Sequence, residues 1–315
     1  MNPAHRSRLI LCLAIVYLVW GSSYLATRIG VSHLPPLLFG GVRFTLAGLL
    51  LLAVARWQGF RVAQLQGEWQ HIVVLGVIGV ACVNGLQVWA LQWLPSQTGA
   101  LLNASCAFWI VMFGLFGRRA HRPSARVFTG VLVGFAGTTL LIWPAAGEPT
   151  VTTAGLIPQL AVLLACVFWA IATIYLRNID STLGVIALTG AQMLVGGAVM
   201  LVVGFGRGEA SAWHWSLPGL LSMAWLTVFS ACIAYTAYAW LARNASPAVV
   251  GTYGYVNPAI ATLLGYLVLD EVLSSLQWFG TAVILAGVVL VNWPAATAGS
   301  RSRPPSAAPA SRRPR

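Results

Sequence analysis

Charge is what this chain of 315 residues lacks most: Asp, Glu, Lys and Arg together make up 8% of it, against roughly 25% in a soluble domain. With 58% of the residues hydrophobic, that shortage argues against an ordinary water-soluble fold and makes lipid the expected solvent. Lysine is absent, so the fixed cations are all arginines. The six acids are scarce too, and none falls in the middle of an apolar stretch, so no carboxylate is placed to relay protons or hold a cation at mid-membrane. Five cysteines (Cys12, Cys82, Cys106, Cys166, Cys232) stand singly without C-x-x-C spacing, and the histidines show no metal-ligand spacing. Paired intramembrane aspartates, H-E-x-x-H and G-x-S-x-G with a histidine are missing as well. The sequence therefore offers no catalytic residue, no metal site and no cofactor motif, and an enzyme is not expected.

What is present is apolar length. A helix crossing the ~30 Å hydrocarbon layer needs about 20 mostly apolar residues. Ten stretches meet this, at about 9–30, 35–56, 70–93, 96–117, 124–143, 153–176, 183–205, 217–241, 246–269 and 275–293. The expected fold is an all-α polytopic membrane protein with ten transmembrane helices. Starting from the cytoplasm, this topology puts fifteen of the eighteen arginines in inner segments; Arg207 lies outside, and Arg28 and Arg43 fall within helices. That bias is the positive-inside pattern. It predicts a cytoplasmic-membrane protein with both termini inside, and it accounts for the net charge of +12 without nucleic acid as a partner. The bilayer is the expected partner instead.

The chain also matches itself at a shift of about 149 to 150 residues. "WPAA" at 143–146 returns at 293–296, and Trp20, Arg28, Gly41 and Gly48 correspond to Trp169, Arg177, Gly190 and Gly197. The divisions read as a cytoplasmic 1–8, a five-helix repeat over 9–146, a second over 153–296, and a disordered basic tail over 297–315. The same correspondence argues against 9–26 being a cleaved signal peptide. Five helices per copy is an odd number, so the two copies run oppositely through the membrane. Inverted repeats of this kind recur in secondary transporters, with the substrate site near the midplane between the halves.

Candidate path residues are polar or aromatic positions on helix faces. In "VYLVWGSSYLATRIG" (16–30), Trp20, Ser23 and Thr27 share one face behind the small Gly21 and Ser22. Asn84 and Gln87 pair in the third span, Tyr235 and Tyr238 in the eighth, and Tyr253 and Asn257 in the ninth. Trp169 repeats Trp20 in the second half, and Asn103 adds a polar group in the fourth span. These are the expected binding residues for a small-molecule substrate. Such groups also serve simply to join neighbouring helices, and Trp near helix ends as interfacial anchors. Arg43 lies about two turns into the second span, a costly position. A gating pair of Arg43 with Glu271 at the outer mouth is one expectation, and snorkelling is the other. The G-x-x-x-G at 130–134 suits tight packing within the bundle or a homodimer face.

Three segments together resemble the drug/metabolite transporter superfamily, in particular its EamA-type members: "VWGSSYLATRIG", "VRFTLAGLLLL" and, most tellingly, "YVNPAIATLLGYLVLDEVLSSLQWFGTAVILAGVVL" (255–290). The first half departs from that pattern, with Phe108 and His121 where the family usually has Pro and a later Glu. The resemblance implies an inner-membrane exporter of small metabolites, often amino acids. It also implies a central cavity built by helices 1, 3, 4, 6, 8 and 9. Efflux of drugs or lipophilic solutes through the same fold is the alternative, since fold does not fix substrate.

Overall fold

The computed structural model describes residues 3–94, 96–116, 123–142, 156–269 and 275–292. The described residues form helices and turns, with no strand among them. Long helices follow in the order α1 (Pro3–His33), α2 (Pro36–Trp57), α3 (Trp69–Ala90), α4 (Ser96–Phe113) and α5 (Ala125–Ile142). Then come α6 (Leu156–Asn178), α7 (Val185–Gly206), α8 (Leu217–Asn244), α9 (Tyr253–Leu269, preceded by the short Pro247–Gly251) and α10 (Ser275–Asn292). Six of them, α1–α3 and α6–α8, are long and apolar enough to cross a membrane, and Leu102–Phe113, Ala125–Gly137 and Trp278–Val291 are shorter apolar stretches. Large apolar side chains point outward, among them Leu49 on α2, Phe135 on α5 and Val202 on α7. Trp57, Trp69, Trp93 and Trp215 are exposed at helix ends, where membrane proteins carry their aromatic belts. The protein is an all-α polytopic membrane protein. Helix α1 runs past the expected 9–30 at both ends; its 31 residues span roughly 46 Å, beyond the hydrocarbon layer. Its added first turns dock on α8, with Arg8 lying 4.8 Å above the Trp240 ring.

Two antiparallel pairs hold the bundle together: α2 packs along α7, and α5 along α10. The α2–α7 seam is backbone against backbone. A Cβ added to Gly48 would lie 2.8 Å from the Gly190 carbonyl oxygen, and one on Gly197 2.7 Å from the Thr45 nitrogen. Gly130 and Gly134 are taken up in the same way by α10, whose Gly287 would place a Cβ 2.6 Å from the Gly134 nitrogen. The G-x-x-x-G spacing thus serves a contact inside the bundle.

Both ends of the α2–α7 pair are closed by a carboxylate. Pro36 opens α2 without an N–H, and the nearby N–H of Leu38 donates to Glu209 Oε2 (2.9 Å), just beyond the end of α7. At the other end, buried Glu68, beyond α2, accepts from the backbone N–H and the hydroxyl of Thr182, both at 2.7 Å, just ahead of α7. Carboxylates at such N-termini satisfy orphan N–H groups and complement the helix dipole. Burial pushes the Glu68 carboxyl up, but hydrogen bonds from Thr182 and Ser181 and the nearby His71 outweigh it, so its pKa is lowered. A lowered carboxylate pKa stabilises the fold above the unfolded value of about 4.3, and that contribution disappears as pH falls through the lowered value. Glu68→Gln is therefore expected to cost about 1–2 kcal/mol near neutral pH and to flatten the acid side of a melting-temperature profile in detergent.

Candidate functional site

Helices α3 and α8 each contain a π-helical segment, Leu75–Cys82 and Leu226–Ala234. π turns loosen the i→i+4 ladder and are frequent at functional sites. Here their carbonyls receive side-chain donors from the centre of the bundle. Trp20 Nε1 donates to Ser230 O (3.3 Å), Tyr235 OH to Gly79 O (3.1 Å), and Asn84 Nδ2 to Val80 O (3.0 Å).

Around these anchors lies a cavity of about 110 Å³, room for several waters or one small solute. Its aromatic wall is a cluster centred on Trp20, whose ring lies 5.5 Å from Trp169, 6.1 Å from Tyr235, 5.1 Å from Tyr238 and 5.2 Å from Tyr253. Most of these contacts are edge-on, the favourable arrangement for ring quadrupoles. Four of the five rings line the cavity. Tyr238 does not. It lies one layer beneath, 4.8 Å from Trp169, with its hydroxyl donating to Thr173 Oγ1 (2.6 Å), because the Thr173 proton is already directed to Trp169 O. Below this layer Tyr17 OH donates to the fully buried Thr252 (2.5 Å), among Cys12, Leu13 and Val16. Tyr238 and Thr252, on the side where α1 begins, are both buried. Towards the end of α1 a second cavity, of about 410 Å³ and lined by Arg28, Ser32, Gln92 and Trp93, shares Leu91 with it.

The polar wall contains every other candidate read from the sequence, apart from Glu271, which lies outside the described residues. Ser23 donates to Val19 O (2.6 Å), which leaves its oxygen lone pairs for the cavity. Gln87 donates to Asn103 Oδ1 (2.9 Å), and Asn103 in turn donates to Gly99 O (3.2 Å). The Asn257 amide, turned to suit its surroundings, donates to Tyr253 O and Tyr17 O (3.3 and 3.2 Å) and presents its oxygen elsewhere. Arg43 is 5% exposed and does not snorkel. Its Nη2 donates to Asn84 Oδ1 (3.2 Å), its guanidinium lies 4.5 Å from the Phe44 ring centre, and its Nε has no partner. Tyr24, Phe44 and Cys106 also line the cavity and were not foreseen. Tyr24 directly follows Ser23, so a wider reading of the α1 face would have included it. No acid lines the cavity among the described residues. Chemically the site offers one buried cation, several amide and hydroxyl groups, and flat aromatic faces.

The profile of the EamA-like transporter family matches the chain twice, over residues 7–143 and 156–293. The uncharacterized inner membrane transporter YedA of Escherichia coli K12 is 34% identical over 283 residues, covering 89% of each chain. The uncharacterized transporter YvbV of Bacillus subtilis is 28% identical over 297 residues, covering 93% of this chain and 94% of its own. A solved crystal structure matches with a TM-score of 0.76 at 22% identity, over 91% of this chain and 96% of the other, a likeness of fold.

Proposed function

Because the chain belongs to the EamA-like transporter family, we propose that it is a secondary transporter exporting small metabolites, foremost amino acids or related compounds, across the cytoplasmic membrane by alternating access. The observation that carries this reading is the cavity itself. It is polar and aromatic and lies where α1, α3 and α4 meet α6, α8 and α9. A solute-sized site between two halves of a bundle is what alternating access requires.

The halves read as inverted copies, which is supported by α2 pairing with α7, α5 pairing with α10, and π turns at corresponding places in α3 and α8. The arginine bias supports placing the start of α1 in the cytoplasm. On that placement the Tyr17 layer lies on the inner side of the site and the cavity lined by Arg28 on the outer side.

Purified protein in proteoliposomes is expected to give saturable flux with members of a labelled amino-acid panel, measured with and without a pH gradient. No flux with any amino acid, together with dye or antiseptic tolerance in overexpressing cells, would move the reading to lipophilic-solute efflux.

A further inference from the structure

We propose that Arg43 is an anion subsite: the transported solute carries a carboxylate that docks on this guanidinium. The inference deepens the transport reading and rests on it. An arginine roughly 10 Å along α2 from its start is costly to place in a membrane and ordinarily has a carboxylate partner. Here the side chain is 5% exposed, lines the cavity, forms no ion pair with a described acid, and leaves Nε unbonded. Asn84 occupies one terminal nitrogen and Phe44 covers one face. Nε is itself buried, so the donors left for a solute are on the two terminal nitrogens, the end of the fork that can bind a carboxylate through two parallel bonds.

Structural need does not explain the charge. At the 149-residue offset, the position of Arg43 in the second half is held by Gln192, which is 2% exposed and neutral. The corresponding corner of α7 is therefore built without a cation. Of this pair only Arg43 lines the cavity. Arg28, exposed in the adjoining cavity, adds a second positive charge along the approach. With no acid on the described walls, the field along this path favours anions.

Calorimetric titration of the full-length protein in detergent tests the subsite with two ligand pairs, leucine against leucinamide and isovalerate against isovaleramide. Each pair compares a carboxylate with its neutral amide at nearly constant shape. Wild type is expected to favour the carboxylate at least tenfold. Arg43→Gln should bring the ratio to about one, and Arg43→Lys, which keeps the charge and loses the fork, should fall between. A preference in the leucine pair that needs Arg43 supports both the subsite and the amino-acid reading. One confined to the isovalerate pair keeps the subsite and overturns that reading. No preference in either wild-type pair, or one that Arg43→Gln leaves intact, overturns the subsite. Should the Gln variant not fold, the wild-type ratios and Arg43→Lys decide the matter, and an unchanged ratio in the Lys variant then counts against the fork.

Discussion

Gly48→Val is expected to yield no monodisperse folded protein, and Gly48→Ala a protein less stable by about 1–3 kcal/mol. The reason lies in the α2–α7 seam. A Cβ on Gly48 would meet the Gly190 oxygen, the Leu194 nitrogen and the Leu194 Cγ, each at 2.8 Å. Two of these are backbone atoms, which cannot rotate away as the tip of a flexible side chain can. Relief requires moving one whole helix, and Gly41, Gly197 and Gly204 fix the same pair elsewhere along its length. Hydrophobic driving force does not help here, because lipid is as apolar as the seam and close packing is what brings the helices together. Gly67→Ala is the matched control: a Cβ there meets nothing within 4 Å, and its effect should stay within about 0.5 kcal/mol. Melting temperature and elution profile in detergent check all three variants. A well-behaved Gly48→Val protein with a wild-type melting temperature would show that the helices are less tightly joined than described.

The residues that carried the sequence reading best were those whose signal is local. Trp20 and Ser23 sit on a small, polar face of an otherwise apolar helix, and the structure turns that face to the cavity. Tyr238 differs from the other candidates in depth along its helix. Tyr235 and Tyr238 both follow the π segment in one regular helix and share a face at i, i+3, but Tyr238 lies almost a turn farther along, beyond the cavity lining. Nothing in "LTVFSACIA" announces a π turn, since no proline or charge marks it. Arg43 is legible as a costly charge, and its partner among the described residues is Asn84 on α3, while Glu271 lies outside them. The least legible features were Glu68 and Glu209. Acids in loops ordinarily read as solvated charge, and their role as caps becomes visible only once α2 and α7 are known to run antiparallel and in contact.

Trp20→Ala is expected to reduce flux at least tenfold and to weaken ligand binding, more than any other single change in the aromatic cluster. Trp20 alone touches all four other rings, whereas Trp169 touches three of them. It also ties α1 to the π segment of α8 through Ser230 O. Truncation therefore removes part of the cavity wall. Trp20→Phe is the milder variant, because it keeps a six-membered ring in the cluster and loses the N–H bond, worth about 1 kcal/mol or roughly fivefold, together with the smaller ring of the indole. A general loss of packing would lower flux as well, so the comparison needs a tryptophan of similar context off the path. Trp109 serves: it packs on Phe113 with ring centres 5.9 Å apart and does not line the cavity. Trp109→Ala should lower the melting temperature and leave ligand affinity within about twofold of wild type, less than a half of 1 kcal/mol. Equal losses of affinity in Trp109→Ala and Trp20→Ala would mean that the aromatic cluster holds the bundle together without shaping the site.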